Sequence, residues 1–193
     1  MKSKEYLLTT FEKMYYHEID RKNTLESNIS VPIGILTFEF GLIAVLFGET
    51  LKFKGCLALT LLDIVIILSI GLFVVAVSFL FRFFIKYEYA YLENPSEIKT
   101  YSDGYAEYLR KVHAKNPDEK LLLEVQDMML NDYQKACDAN VKNNDNKAKF
   151  LWRVKLFMIA SIVLLFVSIA PYIYLKVTQP SDGIQKIEIV GKN

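Results

Sequence analysis

Two stretches of the chain are almost entirely apolar and have the length of membrane-spanning helices. Residues 57–81 contain one charged side chain, Asp63, and residues 156–175 contain none. A helix needs about 20 residues to cross a hydrocarbon core roughly 30 Å thick. Both stretches are therefore predicted to be transmembrane helices. Pro171 lies near the end of the second one, where neighbouring helices compensate for the lost hydrogen bond.

A third apolar stretch, residues 31–47, is shorter and is interrupted by Glu39. Its length is also compatible with a re-entrant or buried segment. A full crossing is favoured because two spans alone would return the chain to its starting side. The distribution of basic residues would then be harder to explain.

Lysine and arginine residues predict the orientation of these spans. They are frequent before the first span and between the second and third, whereas residues 48–56 contain only two lysines. Because basic residues stay in the cytoplasm, the N-terminus is predicted to be cytoplasmic and the C-terminus to lie outside. The first thirty residues are too polar for a signal peptide, so the first span is expected to direct insertion.

The sequence thus predicts an all-α membrane protein with three transmembrane helices, an amphipathic N-terminal helix and a helical cytoplasmic segment between spans two and three. The predicted segments are a cytoplasmic amphipathic helix at 1–30, transmembrane helix 1 at 31–51, an outer hairpin at 52–56, transmembrane helix 2 at 57–86, the cytoplasmic helical segment at 87–150, transmembrane helix 3 at 151–176 and an outer tail at 177–193.

The segments outside the predicted spans also show helical patterns. Residues 4–19 place apolar side chains at three- and four-residue spacing. This amphipathic helix is predicted to pack on the protein's own cytoplasmic helices, and the alternative is that it lies flat in the membrane interface. Residues 179–193 contain a short strand-like alternation, for which an unstructured tail is the favoured alternative.

Proline positions predict where the helices between spans two and three begin. Because no glycine or proline occurs between Arg82 and Pro95, span two is predicted to continue as a helix through Tyr91. Ser96 is the expected cap of a helix that runs to about residue 113. Asn116 caps the next helix, whose first residue is Pro117. Residues 140–149 have no apolar stripe and suit either a solvated helix or a loop.

Composition and charge exclude several classes of protein. The 193 residues carry a net charge of +1, which argues against a polycation that coats nucleic acid, and two cysteines cannot form a disulfide framework. The predicted topology separates Cys56 from Cys137. No phosphate-binding loop, metal-binding motif or nucleic-acid-binding motif is present, and His17 and His113 are far apart. We therefore expect no enzyme activity, no cofactor, and no catalytic or metal-binding residues.

Glu39 and Asp63 are the candidate residues of an intramembrane polar path. Carboxylates in hydrocarbon are costly and usually face protein, water or each other. Their distances to the helix ends correspond to similar depths, which permit contact between the two side chains and the sharing of one proton, and the polar path would form once several copies assemble. The structural alternative is that Asp63 reaches water and that Glu39 is protonated and hydrogen-bonded between helices, since burial disfavours its charged form.

Small residues repeat every seven positions in the first and third spans. Successive members of such a repeat drift by only about 20° around a helix, so they form one face on which helices approach closely. The face serves either packing within one chain or self-association into a homo-oligomer. Its members are Gly34, Gly41, Gly48, Ser161 and Ser168.

Residues 87–98, with the sequence Tyr-Glu-Tyr-Ala-Tyr-Leu-Glu-Asn-Pro-Ser-Glu-Ile, resemble a motif of small helical membrane proteins encoded beside bacterial anti-phage systems. Retron-associated transmembrane effectors are the family that the motif resembles, and Tyr101, Tyr108 and Leu109 extend the likeness. The resemblance implies a bacterial inner-membrane protein that a reverse transcriptase and its RNA–DNA product hold inactive until infection. Tyr101, Tyr105 and Tyr108 form the candidate surface for such a partner.

The resemblance and the spans together predict an oligomeric effector that perturbs the membrane and causes abortive infection. One alternative is a non-catalytic anchor or scaffold subunit of a larger membrane complex. Another is a small proton- or cation-conducting transporter, against which the lack of an internal repeat argues.

Overall fold

The computed structural model describes residues 2–85 and 87–179, and these residues form helices joined by short connections. Helix makes up 87% of them and no strand occurs among them. The alternation predicted to form a strand or an unstructured tail falls almost wholly after residue 179, outside the described residues. The helices are α1 (Lys2–Ser27), α2 (Ser30–Thr50), α3 (Leu57–Phe84), α4 (Pro95–Lys111) and α5 (Pro117–Thr178).

Three helical stretches are long and apolar enough to cross a membrane. They comprise α2, which follows α1 after a turn at residues 28 and 29, the whole of α3, and the C-terminal part of α5. The predictions of an all-α protein and of three apolar helices of membrane-spanning length are confirmed. The chain is therefore compatible with a multi-pass membrane protein.

The chain divides into two compact units. The apolar unit consists of Ile29–Phe83 and Phe150–Asn193, and the polar unit of Met1–Asn28 and Phe84–Lys149. Helix α5 is continuous for 62 residues and contributes to both units. The stretch 140–149, for which helix and loop were alternatives, is part of this helix.

In the apolar unit, α2 runs antiparallel to α3 and parallel to α5. Leu36 of α2 and Ala76 of α3 share one buried cluster with Val154 and Met158 of α5. A second cluster, nearer the connection between α2 and α3, joins two residues of α3 to the end of α5. Its buried members are Leu62, Ile66 and Leu175.

A pair of serines lies between these two clusters and holds α3 against α5. The hydroxyl oxygens of Ser69 and Ser161 are 2.8 Å apart, and the Ser161 hydroxyl also lies 2.9 Å from the Ser69 carbonyl oxygen. Both side chains are completely buried. Small side chains let the two backbones approach closely, and the hydroxyls satisfy each other in an apolar surrounding.

The connection between α2 and α3 is tied to the end of α5 by a side-chain amide. The Gln179 Oε1 atom accepts a hydrogen bond from the Lys54 backbone N–H at 2.8 Å, and Gln179 Nε2 donates to the Lys54 carbonyl at 3.3 Å. One amide side chain thus satisfies both backbone groups of a residue that has no helical partner.

In the polar unit, α1 lies parallel to the first half of α5. Tyr15 is buried against Tyr133, with ring centroids 5.7 Å apart, in a cluster that also includes Ala136. The helix continues past the apolar pattern at residues 4–19 and ends at Ser27, within the segment 1–30 predicted to be a helix. Its polar C-terminal part pairs with α5 through Arg21, whose guanidinium lies 2.7 Å from the Asp145 carboxylate.

The prediction that span two continues as a helix to Tyr91 is wrong. Helix α3 ends at Phe84, not at residue 86 as expected for the span itself, and residues 87–94 have no regular secondary structure. The absence of glycine and proline permits a helix but does not require one. Here the backbone finds hydrogen-bond partners on α5, and the residue before Pro95 is held away from helical geometry.

The cap of α4 is Asn94, not Ser96 as expected. Asn94 has an extended backbone, Pro95 is the first helical residue, and the Glu97 carboxylate accepts a hydrogen bond from the Asn94 N–H at 3.3 Å. Proline is suited to the first helical position because its φ is already helical and it has no N–H to satisfy. The next helix, α5, begins at Pro117, the residue proposed from the sequence.

We expect Ser161→Leu to lower the free energy of unfolding of the apolar unit by about 1–3 kcal/mol, because the larger side chain overfills a fully packed contact. The midpoint of unfolding by SDS in mixed micelles measures this change. Val163→Leu is the matched control, since Val163 is 53% exposed on the same helix. Equal midpoints for the two variants would contradict the described α3–α5 contact.

Candidate functional site

Glu39 is the most unusual polar residue of the apolar unit. It lies in the middle of α2, its side chain is 1% exposed, and neither carboxylate oxygen has a hydrogen-bond partner among the described residues. The Ser161 hydroxyl is close to the carboxylate, but its hydrogen-bonding geometry is directed to Ser69. A buried polar group without a partner is rare in native structures, and each one calls for an explanation.

Glu39 borders a groove of about 500 Å³ between α2 and α5. A volume in this range is typical of sites for small ligands. Apart from the Glu39 carboxyl group and one tyrosine, the side chains that line the groove are aliphatic or phenylalanine. The lining residues are Phe38, Leu42, Val45 and Leu46 from α2 and Ile162, Leu165, Phe166, Ile169, Tyr172 and Ile173 from α5.

The contact between Glu39 and Asp63 that their depths were thought to permit is not present. Phe40, the neighbour of Glu39, stacks on Phe73 with centroids 6.1 Å apart, and Phe73 lies about 15 Å along α3 from Asp63. Asp63 instead borders a separate groove of about 490 Å³ together with Thr50. Both depths were measured from the N-terminal ends of the helices. In two antiparallel helices these ends lie on opposite sides, so equal distances from them do not place two residues at the same level.

The repeated small residues fall into two groups. A Cβ atom added at Gly34, Gly41 or Gly48 would meet nothing within 4 Å, so packing within one chain does not explain the glycines. Ser161 and Ser168 are completely buried inside the apolar unit, so in this chain they serve internal packing and do not offer an oligomer face. The glycine part of the predicted face stays open.

The polar unit contains a cluster that the sequence reasoning missed. Asn140 is completely buried on α5 and pairs with the backbone of Ala90 in the non-helical segment 87–94. Its Oδ1 accepts a hydrogen bond from the Ala90 N–H, and its Nδ2 donates to the Ala90 carbonyl, both at 3.0 Å. The asparagine side chain thus satisfies both backbone groups of a residue that lies outside any helix.

Two further asparagines complete this arrangement, which we call the asparagine clamp (Asn140, Asn143 and Asn144). Asn143 Nδ2 donates to the Glu88 carbonyl at 2.7 Å. Asn144 accepts a hydrogen bond from the Tyr89 hydroxyl at 2.6 Å and donates to the Glu18 carboxylate and carbonyl, each at 2.8 Å. Their i, i+3, i+4 spacing puts all three on one helix face, and this was the available sequence signal.

Tyr89 lies at the centre of the clamped segment. The ammonium groups of Lys22 and Lys147 lie 4.8 and 4.9 Å from its ring centroid, within the range of cation–π attraction. Burial of the hydroxyl raises the pKa of Tyr89 to about 12, and the Glu26 carboxylate adds to the effect. The phenol is therefore neutral and donates its proton to Asn144 throughout the physiological range.

The three tyrosines proposed as a partner surface form a row on α4. Tyr101 and Tyr105 are stacked with centroids 6.3 Å apart, and Tyr108 lies 5.9 Å further along. The Tyr101 hydroxyl donates to Glu124 of α5 at 2.9 Å. Tyr108 is 55% exposed, so the row keeps a solvent-facing edge within the polar unit.

No group of three or more His, Cys, Asp or Glu side chains able to hold a metal ion occurs in residues 2–85 and 87–179. Cys56 and Cys137 are both free thiols. Burial, followed by the charges of Glu18 and Asp138, raises the pKa of the Cys137 thiol. This disfavours the thiolate, the form that reacts.

Comparison of the chain with protein-family models, with curated proteins and with solved structures finds no match.

We expect Asn140→Ala to accelerate hydrogen exchange of the Ala90 amide about tenfold or more. The substitution leaves a sheltered N–H without a partner, which costs about 1–3 kcal/mol, and 1.4 kcal/mol corresponds to a factor of ten. Mass spectrometry of the full-length protein in detergent measures the exchange. Asn143→Ala is the control, because it removes a clamp residue but leaves the Ala90 bonds in place. Unchanged exchange in Asn140→Ala would refute the clamp.

We also expect the polar unit to lose stability at alkaline pH. The pKa of Tyr89 is about 12 in the folded chain and 10.0 ordinarily, so an unfolded chain releases this proton first. The stabilisation is complete below pH 10 and is lost as the pH rises towards 12, by at most about 1.4 kcal/mol per pH unit. Helicity measured during SDS titration at each pH gives the stability of the polar unit. This stability should fall with a smaller slope against pH in Tyr89→Phe than in the wild type. The exposed Tyr108→Phe should keep the wild-type slope, and identical slopes for all three proteins would disprove the assignment.

Proposed function

We propose that this protein is a membrane effector of a bacterial anti-phage defence system, of the retron-associated type, that oligomerises in the inner membrane and perturbs it. The observation that supports the proposal is Glu39, an unpaired carboxyl group buried in a helix of membrane-spanning length. Ionisable residues at such positions are costly and typically belong to paths for ions or protons.

The open glycine stripe supports self-association in the same helix. Glu39 lies about 140° from Gly34 around α2, at roughly 100° per residue. One side of the helix is therefore available for a second copy while another carries the carboxyl group. Several copies joined through Gly34, Gly41 and Gly48 would bring several such carboxyl groups into one assembly.

The polar unit is the proposed receiver of the activating signal. Residues 87–94, the first part of the motif that resembles the retron-associated proteins, form the segment held by the asparagine clamp. The tyrosine row on α4 offers an aromatic surface to a partner. In the proposed system this partner is the reverse transcriptase with its RNA–DNA product, and the polar unit faces the cytoplasm.

A second candidate function is a non-catalytic anchor or scaffold subunit of a larger complex. It is favoured by α5, one continuous helix that contributes to both units. In such a protein the spans only hold the polar unit at the membrane. Expression would then be harmless, and a pulldown would recover a stoichiometric partner.

Expression of the protein without its partners in a bacterial host is expected to depolarise the cells, measured with a potential-sensitive dye. Glu39→Gln should reduce the depolarisation severalfold at equal membrane abundance, because the amide cannot release a proton. Asp63→Asn is the matched control and should retain the effect, since Asp63 borders a different groove.

Gly41→Leu tests the oligomer part of the same proposal. Space is open around Gly41 in one chain, so leucine should leave the monomer intact, weaken the contact between copies and reduce depolarisation. Normal potential with the wild-type protein, or equal depolarisation by wild type and Glu39→Gln, would reject the effector function in favour of the anchor.

A further inference from the structure

We propose that the groove between α2 and α5 is a binding site for a lipophilic amine, whose nitrogen pairs with the Glu39 carboxyl group. The proposal concerns a ligand taken up from the membrane and does not require the effector function. It starts from a buried carboxyl group that has no hydrogen-bond partner and that borders a cavity of ligand size.

The chain's own hydroxyl groups on the helices do not supply the missing partner. Those of Thr37 and Ser78 donate to the carbonyl groups of Ile33 and Val74, one turn earlier in their own helices. The Ser161 hydroxyl is engaged with Ser69. A second copy would present the same committed hydroxyls, and its Glu39 carboxyl group is equally buried within its own apolar unit.

The tyrosine in the groove is too far away to act as the partner. Tyr172 is eleven residues beyond Ser161 on α5, which corresponds to about 16 Å along the helix, whereas Ser161 is level with Glu39. The Tyr172 hydroxyl lies 3.3 Å from the Lys176 ammonium group, at the end of the helix. No hydroxyl group considered among residues 2–85 and 87–179 therefore satisfies Glu39, and we infer that the donor comes from a ligand.

The side chains that line the groove indicate that the rest of the ligand is apolar. Side chains around the carboxyl group are aliphatic or aromatic, and a single polar group in such a groove fixes the orientation of an otherwise apolar molecule. Phe38 and Phe166 line the groove and are each 68% exposed. On a helix of membrane-spanning length, such a surface faces lipid, so the apolar part of the ligand enters from the bilayer.

An amine suits the Glu39 carboxyl group better than an alcohol does, because an amine accepts the carboxyl proton and becomes positively charged. When an amine meets the carboxyl group, the proton moves from the carboxyl oxygen to the nitrogen, and the ammonium N–H then donates to the carboxylate. The resulting pair is neutral overall and charge-assisted, which is the strong form of a hydrogen bond. An alcohol donates one hydrogen bond but cannot take the proton.

Dicyclohexylcarbodiimide, a lipid-soluble reagent for carboxyl groups, tests this site in the full-length protein in phosphatidylcholine vesicles. The carboxyl oxygen adds to the carbodiimide carbon while the proton moves to a nitrogen. The product rearranges to an N-acylurea that retains the whole reagent and is located by peptide mass spectrometry. We expect labelling of Glu39 and no adduct at this position in Glu39→Gln with unchanged helicity.

The ligand class is tested by protection from the reagent. N,N-dimethyldodecylamine should reduce labelling of Glu39 about fivefold or more, because it occupies the groove and takes the proton that the reaction requires. Dodecanol, the matched alcohol of equal chain length, should reduce it less than about twofold. Asp63 is the internal control in each sample, and its labelling should be the same with and without the amine.

Three outcomes would overturn the proposal. The first is equal protection by the amine and the alcohol, and the second is the absence of any labelling of Glu39. The third is labelling that depends on the ratio of protein to lipid, which would make a second copy of the chain the occupant of the groove. The readout is chemical and uses purified protein, so its failure is distinguishable from the failure of the effector function, which is measured as membrane potential in cells.

Discussion

Hydrogen bonding by the most deeply buried polar side chains of α5 is the interaction on which both units depend. A polar group removed from water must find a partner in the protein, and each of these side chains finds one on another element or in its own helix. Asn140 holds Ala90 through two bonds in the polar unit, and Ser161 holds Ser69 in the apolar unit. The partners that these residues require determine which segment packs on each part of α5.

Glu39 departs from this rule, and we therefore assign both the proposed ion path and the proposed ligand site to it. Its carboxyl group is as deeply buried as the asparagines, yet it has no partner among the described residues. The surrounding groove is apolar and reaches the exposed surface of α2 and α5. A buried polar group without a partner calls for an explanation, and an ion path and a bound ligand are the two that we propose. Both proposals start from this one physical conflict.

Residues 87–94 differ from the helices on either side in the partners of their backbone groups. Their backbone bonds go to side chains, whereas a helix satisfies its own backbone. The asparagine clamp and the tyrosine row both belong to the polar unit, which we propose as the receiver of a signal.

The sequence by itself determined the helical class and the three apolar helices, because helix length and hydropathy are local properties that hydrocarbon constrains strongly. It also located the start of α5 at Pro117. Tertiary structure alone decided that residues 87–94 leave the helix, since their partners lie some fifty positions away on α5. It likewise decided that Glu39 and Asp63 are separated, because depth in antiparallel helices follows from the pairing of side chains such as Phe40 with Phe73. Contacts between distant residues leave no periodic trace in a single sequence.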